Sequence, residues 1–131
     1  MAEQVDLSLE QHDRMMALVL GLSHAMNIVF ADALVQSGVP ADQLAALSST
    51  TFKRQLEVAA DVVAENDRLY FEIQQLNPYE LEVLDGLLAS AQRLRSSVSR
   101  QDQQAFSEQM KTGHRWLQSI RAQHPASKQD A

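Results

Sequence analysis

Few residues in this sequence could do chemistry, and they gather around a single gap. Between Arg14 and Lys53 there is no Lys or Arg, and the titratable side chains inside the gap are His24, Asp32 and Asp42. An imidazole in a helix this poor in charge needs a polar partner or a ligand. On a regular wheel of about 100° per residue, Asp13, Ala17, Leu20, Ile28, Ala31 and Val35 fall within about 40° of His24. Asn27 lies just beside them. Ala17 and Ala31 flank the imidazole with short side chains, leaving space for a small polar ligand. The plainer alternative is a core histidine bonded to a neighbour. Lys53 and Arg54 close the gap in the first turn of a helix, where the dipole disfavours cations. They are candidates to meet an anion. The plainer alternative is a pair of surface charges, with Lys53 facing Glu57. His12 and Asp13 read as a helix-end pair, Trp116 as packing, and Lys111, His114 and Arg115 as a solvated face.

No complete catalytic set accompanies these residues. G-x-G-x-x-G, the P-loop, G-x-S-x-G and H-E-x-x-H are all missing. No Glu-x-x-His pair suggests a di-iron bundle, and His12, His24, His114 and His124 lack metal-ligand spacing. No cofactor or metal is therefore expected on this chain.

With 131 residues, 45% hydrophobic and 21% charged, the chain suits one globular domain. A net charge of −6 argues against nucleic acid and anionic membranes as partners. Having no cysteine, the chain fits a reducing cytoplasm. Residues 15 to 35 are apolar enough to raise a membrane span, but His24, Asn27 and Asp32 favour a buried helix of a soluble protein.

The elements that must carry these residues are all helical, five or six in number, with no alternating strand pattern. The first is expected from Ser8, with Gln11 completing a capping box, to Ser37, with Gly38 as the left-handed stop. That is about 29 residues, or roughly 43 Å. A short helix comes next over 40 to 47. Another covers about 51 to 65, with Phe52, Leu56, Ala59 and Val63 inward, and a further one runs over 68 to 76. Asn77-Pro78, with Glu80 three residues after Asn77, starts a helix that reaches about Val98. The last begins near Ser99 to Asp102 and ends near Gln123. Residues 1–7 and 124–131 read as disordered ends around one helical domain over 8–123. Gly21, Gly86 and Gly113 fall at no helix end. The first helix is apolar nearly all round and must be covered on every side, which a partner chain does more easily than four other helices. A homodimer is expected.

His12-Asp13 with Met15-Met16-Ala17, then Gly21-Leu22-Ser23-His24, resembles the start of the C-terminal helical domain of prephenate dehydrogenases. The resemblance continues through Leu44 to Leu47, Ser48-Ser49, the basic pair after Phe52, Asp67 to Tyr70, Gln104-Ala105-Phe106 and His114-Arg115-Trp116. It implies an intertwined all-α dimer around a long central first helix. It implies that His24 belongs to a pocket for prephenate or tyrosine. The family's carboxylate-binding arginine has Lys53 in its column here, with Arg54 beside it; a lysine offers a point charge where an arginine offers a fork. In that family a Rossmann domain carries NAD or NADP and the catalytic histidine. That half is missing from these 131 residues. The reading is thus a dimerisation and pocket domain for tyrosine biosynthesis, inactive alone, working with a Rossmann domain in another chain or segment. Three alternatives stand beside it: a stand-alone helical module that binds an aromatic acid; an all-α chorismate mutase, weakened because the first helix offers only Arg14 as a cation; and a helix-turn-helix regulator over 34 to 56, weakened by the acidic balance.

Overall fold

The computed structural model describes residues 7–123. They form six helices, with no strand among the described residues: α1 Leu9–Gln36, α2 Ala41–Ala46, α3 Thr50–Val63, α4 Asp67–Leu76, α5 Glu80–Ser99 and α6 Gln103–Gln123. The all-α expectation and the long first helix hold. The ends expected to be disordered lie outside the described residues, apart from Leu7.

The helix ends obey local side-chain chemistry. Ser8 Oγ accepts from the Gln11 amide at 3.1 Å and Gln11 Oε1 accepts from the Ser8 amide at 2.9 Å, a complete capping box. Gly38 takes the left-handed conformation, φ 78°, that ends α1. Ser49 caps α3, and Asn66 caps α4 by accepting from the Arg68 and Leu69 amides at 3.0 and 3.1 Å. Asp102 accepts from the Ala105 amide at 3.0 Å and opens α6.

Two elements depart from the sequence reading. First, α1 is not regular: Ala17–Leu22 forms a π-helical turn within it. A π turn inserts about one residue into the helical repeat and rotates every residue beyond it. The buried face accordingly runs Ala17, Gly21, Ala25 rather than Ala17, Leu20, His24, and Leu20 is exposed. Second, Glu80 does not complete a capping box with Asn77. Asn77 caps the turn itself, its Oδ1 accepting from the Tyr79 amide at 2.8 Å, and the Glu80 carboxyl is wholly buried elsewhere.

The chain divides into two compact units, Met1–Leu87 and Leu88–Ala131, with the division inside α5. In the first, α3 and α4 lie along α1. Its buried apolar side chains are small: Ala17, Ala25, Ala59 and Val62. Phe30 and Phe52 meet edge to face at 6.0 Å and tie α1 to α3. The inward stripe of α3 is as expected for Phe52, Leu56 and Ala59, but Val62 replaces Val63 at its end. In the second unit, the last part of α5 and α6 form a hairpin around Gln101, which is left-handed at φ 55°. Its inner side is polar. Ser97 is buried, Gln109 Nε2 donates to the Ser90 carbonyl at 3.1 Å, and an open groove of about 640 Å³ lies between Arg93, Arg100, Glu108 and Thr112. Trp116, expected as packing, is exposed there along with Val98, Met110 and Leu117.

Helix α1 is left largely bare. Only 11% of its most apolar eighteen-residue stretch is buried. Leu18, Val19, Met26, Val29 and Val35 are each more than half exposed. Among the described residues, the other helices of the first unit do not supply the cover that its composition demands. By length and composition alone, α1 is also apolar enough to cross a membrane.

Candidate functional site

His24 stands just past the π turn of α1. Its ring stacks on Tyr70 of α4, with centroids 4.5 Å apart and planes 27° apart. Its Nδ1 is buried and has no hydrogen-bond partner. A buried imidazole nitrogen without a partner is a place where a ligand or water gains a bond.

Tyr70 is the first rung of a polar ladder that the sequence reading missed. Tyr70, Gln74 and Asn77 recur at i, i+4 and i+7, one face of α4 and its end. Gln74 Nε2 donates to the Gly21 carbonyl at 3.0 Å, and Asn77 Nδ2 donates to the Asp13 carbonyl at 2.8 Å. A π turn disturbs the regular backbone ladder, and side chains of α4 take up carbonyls on and beside it. The signal was present: Gly21 in mid-helix, and three polar side chains at helical spacing opposite it.

Glu80 completes this region from the start of α5. It is the largest wholly buried side chain, and neither carboxyl oxygen has a partner. A Cβ added at Gly21 would collide with that carboxyl, so glycine is what makes the space. Burial pushes the Glu80 carboxyl above its ordinary value. Nearby, Arg14 lies 4.2 Å over the Tyr79 ring and within 3.6 Å of Glu10 and of Glu82. Partial burial, with Glu10 beside it, pushes the Tyr79 hydroxyl up, and Arg14 opposes this.

Two cavities border the ladder. One of about 370 Å³ is lined by Ile28, Val62, Val63, Tyr70, Phe71 and Gln74, with Glu65 and Asp67 also present. It is near the lower end of the size range for small-molecule pockets, roughly 300–1,000 Å³. The other, about 280 Å³, lies between Asp13, Met16, Leu20 and the α4 residues Glu72, Ile73 and Leu76.

Lys53 and Arg54 are exposed in the first turns of α3. Phe52, which precedes them, packs on Phe30, six residues beyond His24 or about 9 Å along α1. Among the described residues neither cation makes an ion pair, so Lys53 does not close on Glu57. No described hydrogen bond or ring contact joins either of them to His24. What the chain brings to His24 is Tyr70. His12 and Asp13 do approach each other, at 3.8 Å.

The family described as prephenate dehydrogenase, dimerization domain, matches residues 8–112. The chain belongs to that family. A similar curated protein is the "Probable arogenate/prephenate dehydrogenase" of Methanocaldococcus jannaschii, 26% identical over 102 residues. The match covers 78% of this chain and 23% of that protein, so the chain spans about a quarter of its relative's length. No solved structure matches. Helix α1 lies wholly inside the matched region.

Proposed function

We propose that this chain is the dimerisation and ligand-pocket domain of a prephenate dehydrogenase-like protein of tyrosine biosynthesis, acting as a cytoplasmic homodimer. The observation that carries the reading is the bare apolar surface of α1 within a dimerization-domain sequence. Covering five half-exposed apolar side chains yields on the order of 5 kcal/mol before the costs of association. A bilayer would cover them too. His24, Asn27 and Asp32 within the helix, and the polar ladder from α4, favour a protein partner. Hydride transfer requires a nicotinamide cofactor, for which these helices offer no phosphate-binding loop; it belongs to a Rossmann domain carrying NAD or NADP.

The proposed ligand site takes in His24, with its unpartnered Nδ1 and its stack on Tyr70, and the adjoining cavity that Tyr70 and Gln74 line. A flat aromatic or cyclohexadienyl acid suits a site with one aromatic wall. Lys53 or Arg54 is the candidate partner for the ligand's carboxylate. The test is sedimentation at micromolar concentration together with calorimetric titration of tyrosine and prephenate. A dimer is expected, with binding lost in His24→Ala and weakened in whichever of Lys53→Ala and Arg54→Ala holds the carboxylate. A monomer removes the assembly part of the reading. Unchanged binding in His24→Ala removes the pocket part. The orphaned His24 nitrogen also supports a second reading, a stand-alone module that binds an aromatic acid; tight binding of tyrosine with no dependence on any cofactor domain favours it.

A further inference from the structure

Glu80 has no part in the proposed ligand pocket, yet the fold is shaped around it. It is wholly buried, and both of its oxygens lack partners. It fills space that exists only because residue 21 is glycine. That glycine lies in the π turn, whose carbonyl is held in turn by Gln74. The charged and titratable groups on the surrounding elements are Glu10, His12, Asp13, Arg14, His24 and Asp32 of α1, Asp67, Arg68, Tyr70 and Glu72 of α4, and Tyr79, Glu82 and Asp85 around its own position. None forms an ion pair or hydrogen bond with Glu80 among the described residues. A carboxylate left alone in such a place costs several kcal/mol, whereas the neutral acid costs far less.

We propose that Glu80 is a latch: its carboxyl, held as the neutral acid in the notch left by Gly21, fixes the start of α5 to the π turn of α1, and the joint gives way when that carboxyl ionises. A Cβ on residue 21 would occupy the place of the carboxyl, so the glycine and the buried acid go together. Burial sets the direction with pH. The folded carboxyl titrates above its ordinary value of 4.5, so its contribution is complete below that value and is lost as pH rises through the folded value.

The test uses melting temperatures of the full chain from pH 4 to pH 9. Glu80→Gln keeps the shape and removes the charge. The wild type is expected to lose melting temperature toward pH 9 relative to Glu80→Gln, and the two to converge toward pH 4. Parallel curves overturn the ionisation claim. The volume claim has its own arm. Alanine in place of glycine within a helix ordinarily stabilises. Gly21→Ala is expected to lower the melting temperature by several degrees or to prevent folding. Gly21→Ala with Glu80→Ala is expected to melt above Glu80→Ala alone. If Gly21→Ala is harmless, or the double variant is no better than Gly21→Ala, the notch claim falls.

Discussion

On its inner face α1 is held by fit and by polar bonds: Ala17, Gly21 and Ala25 are small and buried, the Glu80 carboxyl fills the notch at Gly21, and Gln74 and Asn77 reach α1 carbonyls. Over the rest of its surface α1 carries Leu18, Val19, Met26 and Val29, large, apolar and uncovered. The contrast separates two tasks. The small-residue face is the one buried within the chain. The large-residue surface is the one that the proposed dimer would cover. With four buried apolar residues among those described, three of them alanine, the core is thin. Folding and assembly are then expected to be one event, with a melting temperature that rises with protein concentration.

The largest effect is expected where that contrast is broken from the outside. Val29→Asp changes a side chain that is more than half exposed in the single chain, so it removes little internal contact. In the proposed dimer it buries an unpaired carboxylate, worth at least about 3 kcal/mol or roughly a hundredfold in dissociation constant. Sedimentation equilibrium reads this directly. A Val29→Asp protein that folds and sediments like the wild type means that this part of α1 is not in the interface.

Breaking the inner face costs less and acts differently. Asn77→Ala removes two bonds, to the Asp13 carbonyl and from the Tyr79 amide, and is expected to cost about 2 kcal/mol. Gln74→Ala removes one and is expected to cost about 1 kcal/mol. In a thermal melt each kcal/mol corresponds to roughly 4 °C or somewhat more in a chain of this size. A loss for Gln74→Ala that equals or exceeds that for Asn77→Ala would place the weight on the π turn and not on the start of α5.

How much of the molecule is legible in the sequence depends on the range of each interaction. Caps are local, so Ser8 with Gln11, Gly38 and the stop around Asn66 can be read from neighbours a few residues away. The demand for cover on α1 is legible as well, because it is a property of composition. The π turn is not. A wheel with a fixed repeat assigns phase by counting, and one inserted residue shifts everything beyond it. Glu80 escapes for a related reason. Asn77-x-x-Glu80 satisfies a capping pattern, but a better place for the carboxyl exists 59 positions earlier in the chain, and pairing at that separation leaves no periodic trace. Gly21 is the visible clue to both. It sits at no helix end, and mid-helix glycine signals a close approach when nothing local explains it.

The smallest effect is expected at Arg14, although it makes ion pairs on two sides and a ring contact. It reaches Glu10 and Glu82 at 3.6 Å each and lies 4.2 Å over the Tyr79 ring. All three contacts are solvent-facing: the Arg14 side chain is 50% exposed and that of Glu82 is 74% exposed. Exposed ion pairs contribute about 0–1 kcal/mol, and an exposed cation–π contact about 0.5–1 kcal/mol. Arg14→Met keeps the stem over the ring and removes the charge, so it is expected to cost less than about 1 kcal/mol. Most of the ion-pair share should vanish in about 1 M salt, where the Debye length is about 3 Å. A double-mutant cycle with Tyr79→Leu at low and high salt divides the ring's share from that of the carboxylates. A coupling above about 2 kcal/mol that survives high salt would mean that Arg14 is shielded from water in the assembled protein. The apolar surface of α1 would then extend, once covered, as far as its first turns.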